Sequence, residues 1–421
     1  GLGVMRLRVS PSAFCTRARR ERRHACVAMA ASAPSAAAAV HEATSIPELL
    51  FASHLLVAPG EESASGAHLT QHIHQEKRQV VAARALAKLA RWSDGEQEMA
   101  VDEEGNLLRL CQCAAAPSAA QEDTLEDAKR AVESLRSLAV LRPRTTGAED
   151  PLRKELALLW ERAAAHARKL PPESVTGADW ASQRLGLDVA VFKGAAAMVP
   201  FRVLPGLIEL SGADDGITLE GLIREVPFKA ELVQTRGGGA AVERRETCWM
   251  VDPDDRIEGL AYSGKIMKPT PFTPLVAKLR DAVEAKTNER FDCALLNLYV
   301  GGHSACAFHS DPDHGRLWAH ESVIISFGAA RRFQFRLIDS GDEEELHSFV
   351  VSQGDGVFMG FACQDEYQHA VLASPTDTED SLRVSVVFKR ALAQPSGRKG
   401  VGLEGSGRRA RASRNKKKAA G

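Results

Sequence analysis

The stretch "ACAFHSDPDHGRLW" holds His309, Asp311, Asp313 and His314, acid or imidazole side chains gathered within a few residues. An extended chain alternates its faces, so His309 and Asp311, two apart, point the same way if this piece ends a strand. An imidazole and a carboxylate aimed at one spot are two thirds of a 2-His-1-carboxylate set. Such a set binds Fe(II) and leaves further positions open. Alone, the pair fits a polar turn closed by a His–Asp hydrogen bond just as well. A third donor must come from elsewhere, and His314, His320, His347 and His369 lie downstream. His314 is too near in sequence to complete an open face without a strained turn. His369 follows a strand-like run and a Gly-Phe turn and precedes the apolar "AVL", which puts it on a later strand able to face the same cavity.

A second group lies in "SLRVSVVFKRAL". On a strand, Arg383, Ser385, Val387 and Lys389 share one face. A cation set among Val and Phe calls for an anion. The planar guanidinium grips a carboxylate through two bonds, so a dicarboxylate suits Arg383. A salt bridge at the rim of a sheet is the plainer alternative.

The elements that must position these residues are written along the rest of the chain. Its 421 residues, 44% hydrophobic and 26% charged, allow two or three domains with a sizeable core. The formal net charge of −1 does not mark a nucleic-acid binder; the uneven spread of charge says more. No apolar run approaches about 18 residues, so no membrane span is expected. The cysteines form no CxxC pair, which implies reduced thiols in an intracellular compartment. Cys111 and Cys113 make a lone CxC, a weak hint of metal.

Residues 1–41 are rich in Arg, Ser and Ala, and Glu21 is the only acid in the stretch "MRLRVSPSAFCTRARRERRHACVAMAASAPSAAAA". That is the composition of an organelle transit peptide or of a disordered leader, and it predicts a chloroplast or mitochondrial protein, with nucleus or cytoplasm as the alternative. Residues 42–198 read as α-helical. Expected helices include one with Thr124 as N-cap and Asp127 three residues on, and one starting on Pro151. Residues 199–393 turn to short β-branched and aromatic runs, interrupted by a helix in "TPLVAKLRDAVEAKT" with Leu275, Leu279 and Val283 on one face. The fold class is therefore α+β, an all-α region followed by a double-sheet jelly roll. Residues 394–421 form a basic tail that lacks apolar residues to bury; it suits phosphate contact or plain solvation.

Taken in order, "VLPGLI", "LLNLY", "FHSDPD", "VIISFGAARRFQFR", "SQGDGVFMG", "YQHAVL" and "RVSVVFKR" resemble the AlkB-like Fe(II)/2-oxoglutarate dioxygenases over nearly half of the chain. The resemblance implies a double-stranded β-helix domain using Fe(II), 2-oxoglutarate and O2. It implies His309, Asp311 and His369 as iron ligands, and Asn297 and Tyr299 as contacts of 2-oxoglutarate. Arg383 matches the first arginine of the family's cosubstrate signature and Ser385 its polar position. Lys389 stands where the second arginine falls, which keeps the charge and loses the fork. Asp313 matches an acid near the substrate base. Trp249 and Tyr262 match aromatic positions of the nucleotide-recognition lid, with core aromatics as the alternative. The implied reaction is oxidative demethylation of alkylated bases in DNA or RNA, so methylated nucleic acid is the expected partner. Two other readings stand beside it: a protein side-chain hydroxylase or demethylase, and an RNA-binding scaffold carrying an inactive dioxygenase domain. The scaffold reading draws on "VVAARALAKLARW" and "PPESVTGADWASQRLGL", which faintly resemble organellar helical-repeat RNA-binding proteins.

Overall fold

The computed structural model describes residues 79–393 apart from 88, 91–100, 117–122, 142–150, 193–198, 209–215, 231, 235–238, 256, 263–264, 339–345 and 375–380. The leader at 1–41 and the basic tail at 394–421 lie outside the described residues. Residues 79–87 are helical. Then come α1 (Val101–Ala115), α2 (Leu125–Leu141), α3 (Arg153–Ala165) and α4 (Pro172–Arg184). In α1 the buried stripe is Leu107, Leu110, Cys111 and Ala114, one helical face. Cys113 follows Cys111 by about 200° around that helix, so the CxC cannot close on one ion. Helix α2 opens on a reciprocal cap. Thr124 Oγ1 accepts from the Asp127 amide at 3.2 Å, and Asp127 Oδ2 accepts from the Thr124 amide at 2.8 Å. No helix among the described residues is long and apolar enough to cross a membrane.

The β region is a sandwich. In chain order it holds β1 (Phe201–Leu204), α5 (Leu219–Glu225), β2 (Leu232–Gln234), β3 (Ala240–Val242), β4 (Arg245–Val251), β5 (Leu260–Tyr262), β6 (Lys265–Met267) and β7 (Thr270–Pro271). These are followed by α6 (Pro274–Thr287), β8 (Cys293–Val300), β9 (Cys306–His309), β10 (Ser322–Gly328), β11 (Arg331–Leu337) and β12 (Leu346–Val351). The last are β13 (Gly356–Met359), α7 (Cys363–Glu366), β14 (Tyr367–Val371) and β15 (Leu382–Lys389). A seven-stranded sheet in the order β1-β13-β10-β15-β8-β4-β7 faces a four-stranded sheet, β12-β11-β14-β9. The pairings are antiparallel except β4 with β7, and this double sheet is the expected jelly-roll architecture.

Strand periodicity divides the large sheet into two surfaces. One carries Leu296, Leu298, Val323, Ile325, Phe327, Val384, Val386 and Phe388, all buried in the core cluster that includes α6. Helix α6 meets that cluster with Leu275, Leu279 and Val283, the face expected from their spacing. It starts on Thr273, whose Oγ1 accepts from Val276 N–H at 3.3 Å, and ends on Asn288 in the left-handed region. With the outer surface thus sealed, the residues of opposite phase, including Arg245, Asn297, Tyr299, Arg383, Ser385 and Lys389, look inward at the small sheet.

The helical region does not form a separate globule. Its core is continuous with the sandwich. Helix α4, formed by part of "PPESVTGADWASQRLGL", packs on β1 and β12. Trp180 meets Phe349 edge-on at 6.0 Å, and the buried pair Arg184–Asp355 closes at 2.8 Å. Arg136 Nη2 donates to the Ser348 carbonyl at 2.6 Å, passing a notch at Gly177 where a Cβ would stand 2.6 Å from Arg136 Cδ.

At the same junction His347 is 3% exposed, with Nδ1 2.9 Å from Thr176 Oγ1. Burial, and then the Arg136 charge, push its pKa down to about 4 from 6.5. A folded-state pKa below the unfolded value means that the unfolded chain binds the extra proton. The stability is therefore whole above about pH 6.5 and declines as pH falls toward 4. We expect about 2 kcal/mol to be lost between pH 7 and pH 5, out of about 3 kcal/mol in full. Urea unfolding at both pH values should show this loss shrink in His347→Gln. An equal loss in the variant would assign the acid sensitivity elsewhere.

Candidate metal centre

Strand β9 ends at His309, and its neighbour β14 places His369 directly opposite. The two imidazoles lie 4.3 Å apart between centroids. Asp311, just past the strand end, brings Oδ1 to 3.5 Å from His309 Nε2 and 4.0 Å from His369 Nε2. One ligand atom from each of the three falls within 4.8 Å of the others, the only such group of His, Cys, Asp or Glu found among the described residues. His309 Nδ1 lies 2.9 Å from the Ala307 carbonyl oxygen. An N–H there turns Nε2, the nitrogen a metal would take, toward Asp311. The Asp311 amide donates to Gln364 Oε1 at 2.8 Å, which holds the turn. Two imidazole nitrogens and a carboxylate on adjoining elements form the donor set that suits non-haem Fe(II).

The electrostatics follow from this convergence. Burial alone would raise the Asp311 pKa, but the Lys389 ammonium and the contacts from His309 and His314 outweigh it, and the carboxyl is held well below its usual range. Burial pulls His309 down, while Asp311 and Cys306 more than reverse that and raise it to about 11. His369 goes the other way, pushed down to about 3 by burial and by the charge on His309. A proton on His309 thus occupies the space between the imidazole and carboxylate donors.

Behind the donors lies a cavity of about 50 Å³. Its wall is built from cross-strand rows of the large sheet. Arg383 on β15 pairs with Tyr299 on β8, which pairs with Arg245 on β4. The next inward row is Ser385–Asn297–Thr247, then Val387–Leu295–Trp249, then Lys389–Cys293–Val251. Arg383 is fully buried. Its Nη2 donates to Ser326 Oγ at 3.0 Å, and Nε and Nη1 have no hydrogen-bond partner. Its Cζ lies 4.9 Å from the Tyr299 ring centroid. Asn297 Nδ2 donates to Ser385 Oγ at 3.3 Å, and Asn297 Oδ1 is likewise without a partner. Burying a cation with two idle nitrogens is costly unless an anion arrives. A 2-oxoglutarate carboxylate fits that need.

Lys389 stands at the metal end of the cavity. Its Nζ donates to Asp311 Oδ2 at 2.6 Å and lies 3.1 Å from His314 Nε2. A single ammonium on a flexible stem reaches the ligand carboxylate here, whereas Arg383 keeps to the far end. His314, too near Asp311 in sequence to be expected as the third donor, is thereby part of this contact. Asp313 adopts φ 65°, a strained value for a residue with a Cβ, and its carbonyl accepts the amides of Arg316, Leu317 and Trp318. Its carboxylate is engaged by Arg316.

Trp249 is 1% exposed and meets Trp318 edge-on at 5.5 Å. Its indole is closed off on the inner face of β4 and offers no open face for stacking. Tyr262 ends β5, opposite Lys265 in the β5–β6 hairpin; its side chain lies outside the described residues. Two polar cavity residues, Arg245 and Cys306, were not expected from the sequence motifs. Arg245 has Cζ 6.0 Å from the Tyr299 ring, opposite the row position of Arg383. Cys306 Sγ lies 3.6 Å from His309 Nδ1, and its thiol is drawn down to about 7 by His309 and Arg245 against the upward push of burial. The available signal for Arg245 was phase: it stands four residues before Trp249 on one strand, hence on the same face.

With this geometry in view, the comparisons with known proteins agree. A family model for the 2OG-Fe(II) oxygenase superfamily matches residues 201–390. The chain is 32% identical over 171 residues to an uncharacterized protein of Acanthamoeba polyphaga mimivirus, covering 40% of this chain and 85% of that one. It is 28% identical over 202 residues to alpha-ketoglutarate-dependent dioxygenase alkB homolog 3 of Bos taurus, covering 46% of this chain and 66% of the relative. Against DNA oxidative demethylase ALKBH2 of Bos taurus it is 34% identical over 141 residues, 32% of this chain and half of the relative. The match begins where the helical region ends and spans the strands that carry the His309–Asp311–His369 group and Arg383. Residues 201–390 therefore form a 2OG-Fe(II) oxygenase domain of AlkB-like type, a dioxygenase domain that uses Fe(II), 2-oxoglutarate and O2.

Proposed function

We propose that the protein oxidatively demethylates alkylated bases in DNA or RNA. The observation that carries the reading is the convergence of His309, Asp311 and His369 on one side of a cavity whose other side holds the unsatisfied Arg383 guanidinium. The relatives named for alkB homolog 3 and for DNA oxidative demethylation support a nucleic-acid substrate. When bound together, the metal, 2-oxoglutarate and dioxygen oxidise a substrate methyl group, with succinate, CO2 and formaldehyde as products.

The chain's own residues supply position. His309, Asp311 and His369 hold the metal on one face. Arg383 and Tyr299 receive the far carboxylate of the cosubstrate, and the Asn297–Ser385 rung orients it. Leu295, Ile324, Phe333 and Val387 line the same cavity and exclude water. Lys389 balances the Asp311 charge from the side away from His309. The intact donor set and the open polar groups speak against an inactive domain.

Succinate release should be measured with Fe(II), ascorbate and 2-oxoglutarate in the presence of methylated single-stranded DNA, methylated RNA, a methylated peptide, or no substrate. Stimulation by a methylated polynucleotide, with formaldehyde formed in step, is expected. Stimulation by the peptide alone would replace this reading with a protein-directed one.

A further inference from the structure

Phe361 is 69% exposed, the most exposed large hydrophobic residue among those described. Single exposed apolar residues are ordinary. This one differs in what lies beneath it and where it stands. Its ring lies 4.2 Å from that of His320, tilted by 39°. The His320 imidazole is itself held in a notch: a Cβ on Gly315 would stand 2.6 Å from its Cε1 and Nε2. Its Nδ1 is buried with no hydrogen-bond partner. The lower face of Phe361 thus rests on an ordered ring, and the upper face is open to solvent.

Both supporting segments reach the metal donors. Phe361 begins the turn that leads into α7, where Gln364 accepts the Asp311 amide. The Gly360 amide, donating to the Pro200 carbonyl at 2.8 Å, anchors that turn. From the other side, the His320 carbonyl lies 3.2 Å from His314 Nδ1, and His314 touches Lys389. Both members of the aromatic pair are therefore joined through short links to Asp311 and Lys389, outside the cavity lining itself. The cavity wall is taken up by the residues that would receive 2-oxoglutarate, so the neighbours of a target base lie outside it. Those neighbours must lie across the rim, and Trp249, buried against Trp318, cannot receive them.

We propose that Phe361, backed by His320, is a stacking platform for an unpaired nucleobase flanking the target in a single-stranded nucleic acid. The proposal rests on the demethylase reading above. Every base has a π-face, so such a platform adds affinity with little sequence preference.

The test combines binding and turnover. Fluorescence anisotropy should measure the Kd of the full chain for an unmethylated single-stranded oligonucleotide, in wild type, Phe361→Ala and Phe361→Trp. Phe361→Ala is expected to weaken binding about tenfold, the loss of one base–aromatic stack, and Phe361→Trp to retain it. The ratio of kcat/KM on a methylated oligonucleotide to that on the methylated mononucleoside should fall by a similar factor in the alanine variant. Equal Kd values and equal ratios in wild type and Phe361→Ala would overturn the platform while leaving the demethylase reading intact. Wild-type protein that neither binds nor turns over any nucleic acid would overturn both.

Discussion

Replacing Asp311 with alanine is expected to remove metal binding and, with it, all succinate formation. Once a metal has displaced the proton on His309, Asp311 is the only donor of the three that carries charge, and its Oδ1 faces both imidazoles. Two neutral nitrogens on neighbouring strands, without the anion, are a weak site for a divalent ion. An affinity loss of at least about 100-fold follows from the loss of one of three ligands, larger than the 10–100-fold typical of outer-shell changes. The variant has a second, independent signature. Lys389, 4% exposed, loses the carboxylate that accepts from it at 2.6 Å. Removing one member of a well-buried pair costs about 3–5 kcal/mol. Asp311 is itself partly exposed, so roughly half of that is the better expectation here. Calorimetric titration with Fe(II) under anaerobic conditions measures the first effect, and urea unfolding of the metal-free protein measures the second. Adding Lys389→Met to Asp311→Ala should restore stability and leave the metal site empty of function. Metal binding at wild-type affinity in Asp311→Ala would remove the assignment.

The legible part of the site is the part with a local period. His309 and Asp311 are two apart, and an extended chain puts i and i+2 on one face whatever surrounds them. Helix α6 was legible for the same reason, since the apolar face of Leu275, Leu279 and Val283 lies within one short stretch. His369 could be placed on a later strand, yet only the register of β14 against β9 sets it opposite His309. That register has no local signature. Phase alone puts Arg245 on the face of Trp249, but nothing in "RRETCW" or "SACAF" brings Arg245 and Cys306 together until the sheet of β4 and β8 faces the sheet of β9. Trp249 shows the converse. Its inward phase was readable from the strand, but its closure depends on Trp318, which arrives from a distant loop. The joining of the helical region to the sandwich was hidden in the same way. Arg136–Ser348, Thr176–His347 and Arg184–Asp355 each link residues far apart in the chain.

Arg383→Met is expected to separate the stability of the domain from its cosubstrate affinity, moving them in opposite directions. In the metal-free protein the guanidinium is fully buried, with Nε and Nη1 lacking partners. Burial depresses its pKa, which measures the strain on the charged form, with Tyr299 pushing back. Methionine fills much of the same volume without a charge, and such replacements of buried ionic groups are commonly neutral or stabilising by about 1–4 kcal/mol. A rise in Tm, or no change, is therefore expected without cosubstrate. For 2-oxoglutarate the balance reverses. Each charge-assisted hydrogen bond to a carboxylate is worth about 1.5–3 kcal/mol. Loss of a two-pronged contact then weakens binding by at least about 100-fold. Isothermal titration with 2-oxoglutarate, using Mn(II) in place of the native ion, reads the affinity directly and does not depend on turnover. Metal affinity should change little, because Arg383 stands at the far end of the cavity from Asp311. Arg245 lies across the Tyr299 ring and retains its charge in this variant. If 2-oxoglutarate binds Arg383→Met as tightly as wild type, its anchor is Arg245, and Arg245→Met becomes the variant that must lose it. If both single variants bind normally, the anion site lies outside this row of the sheet.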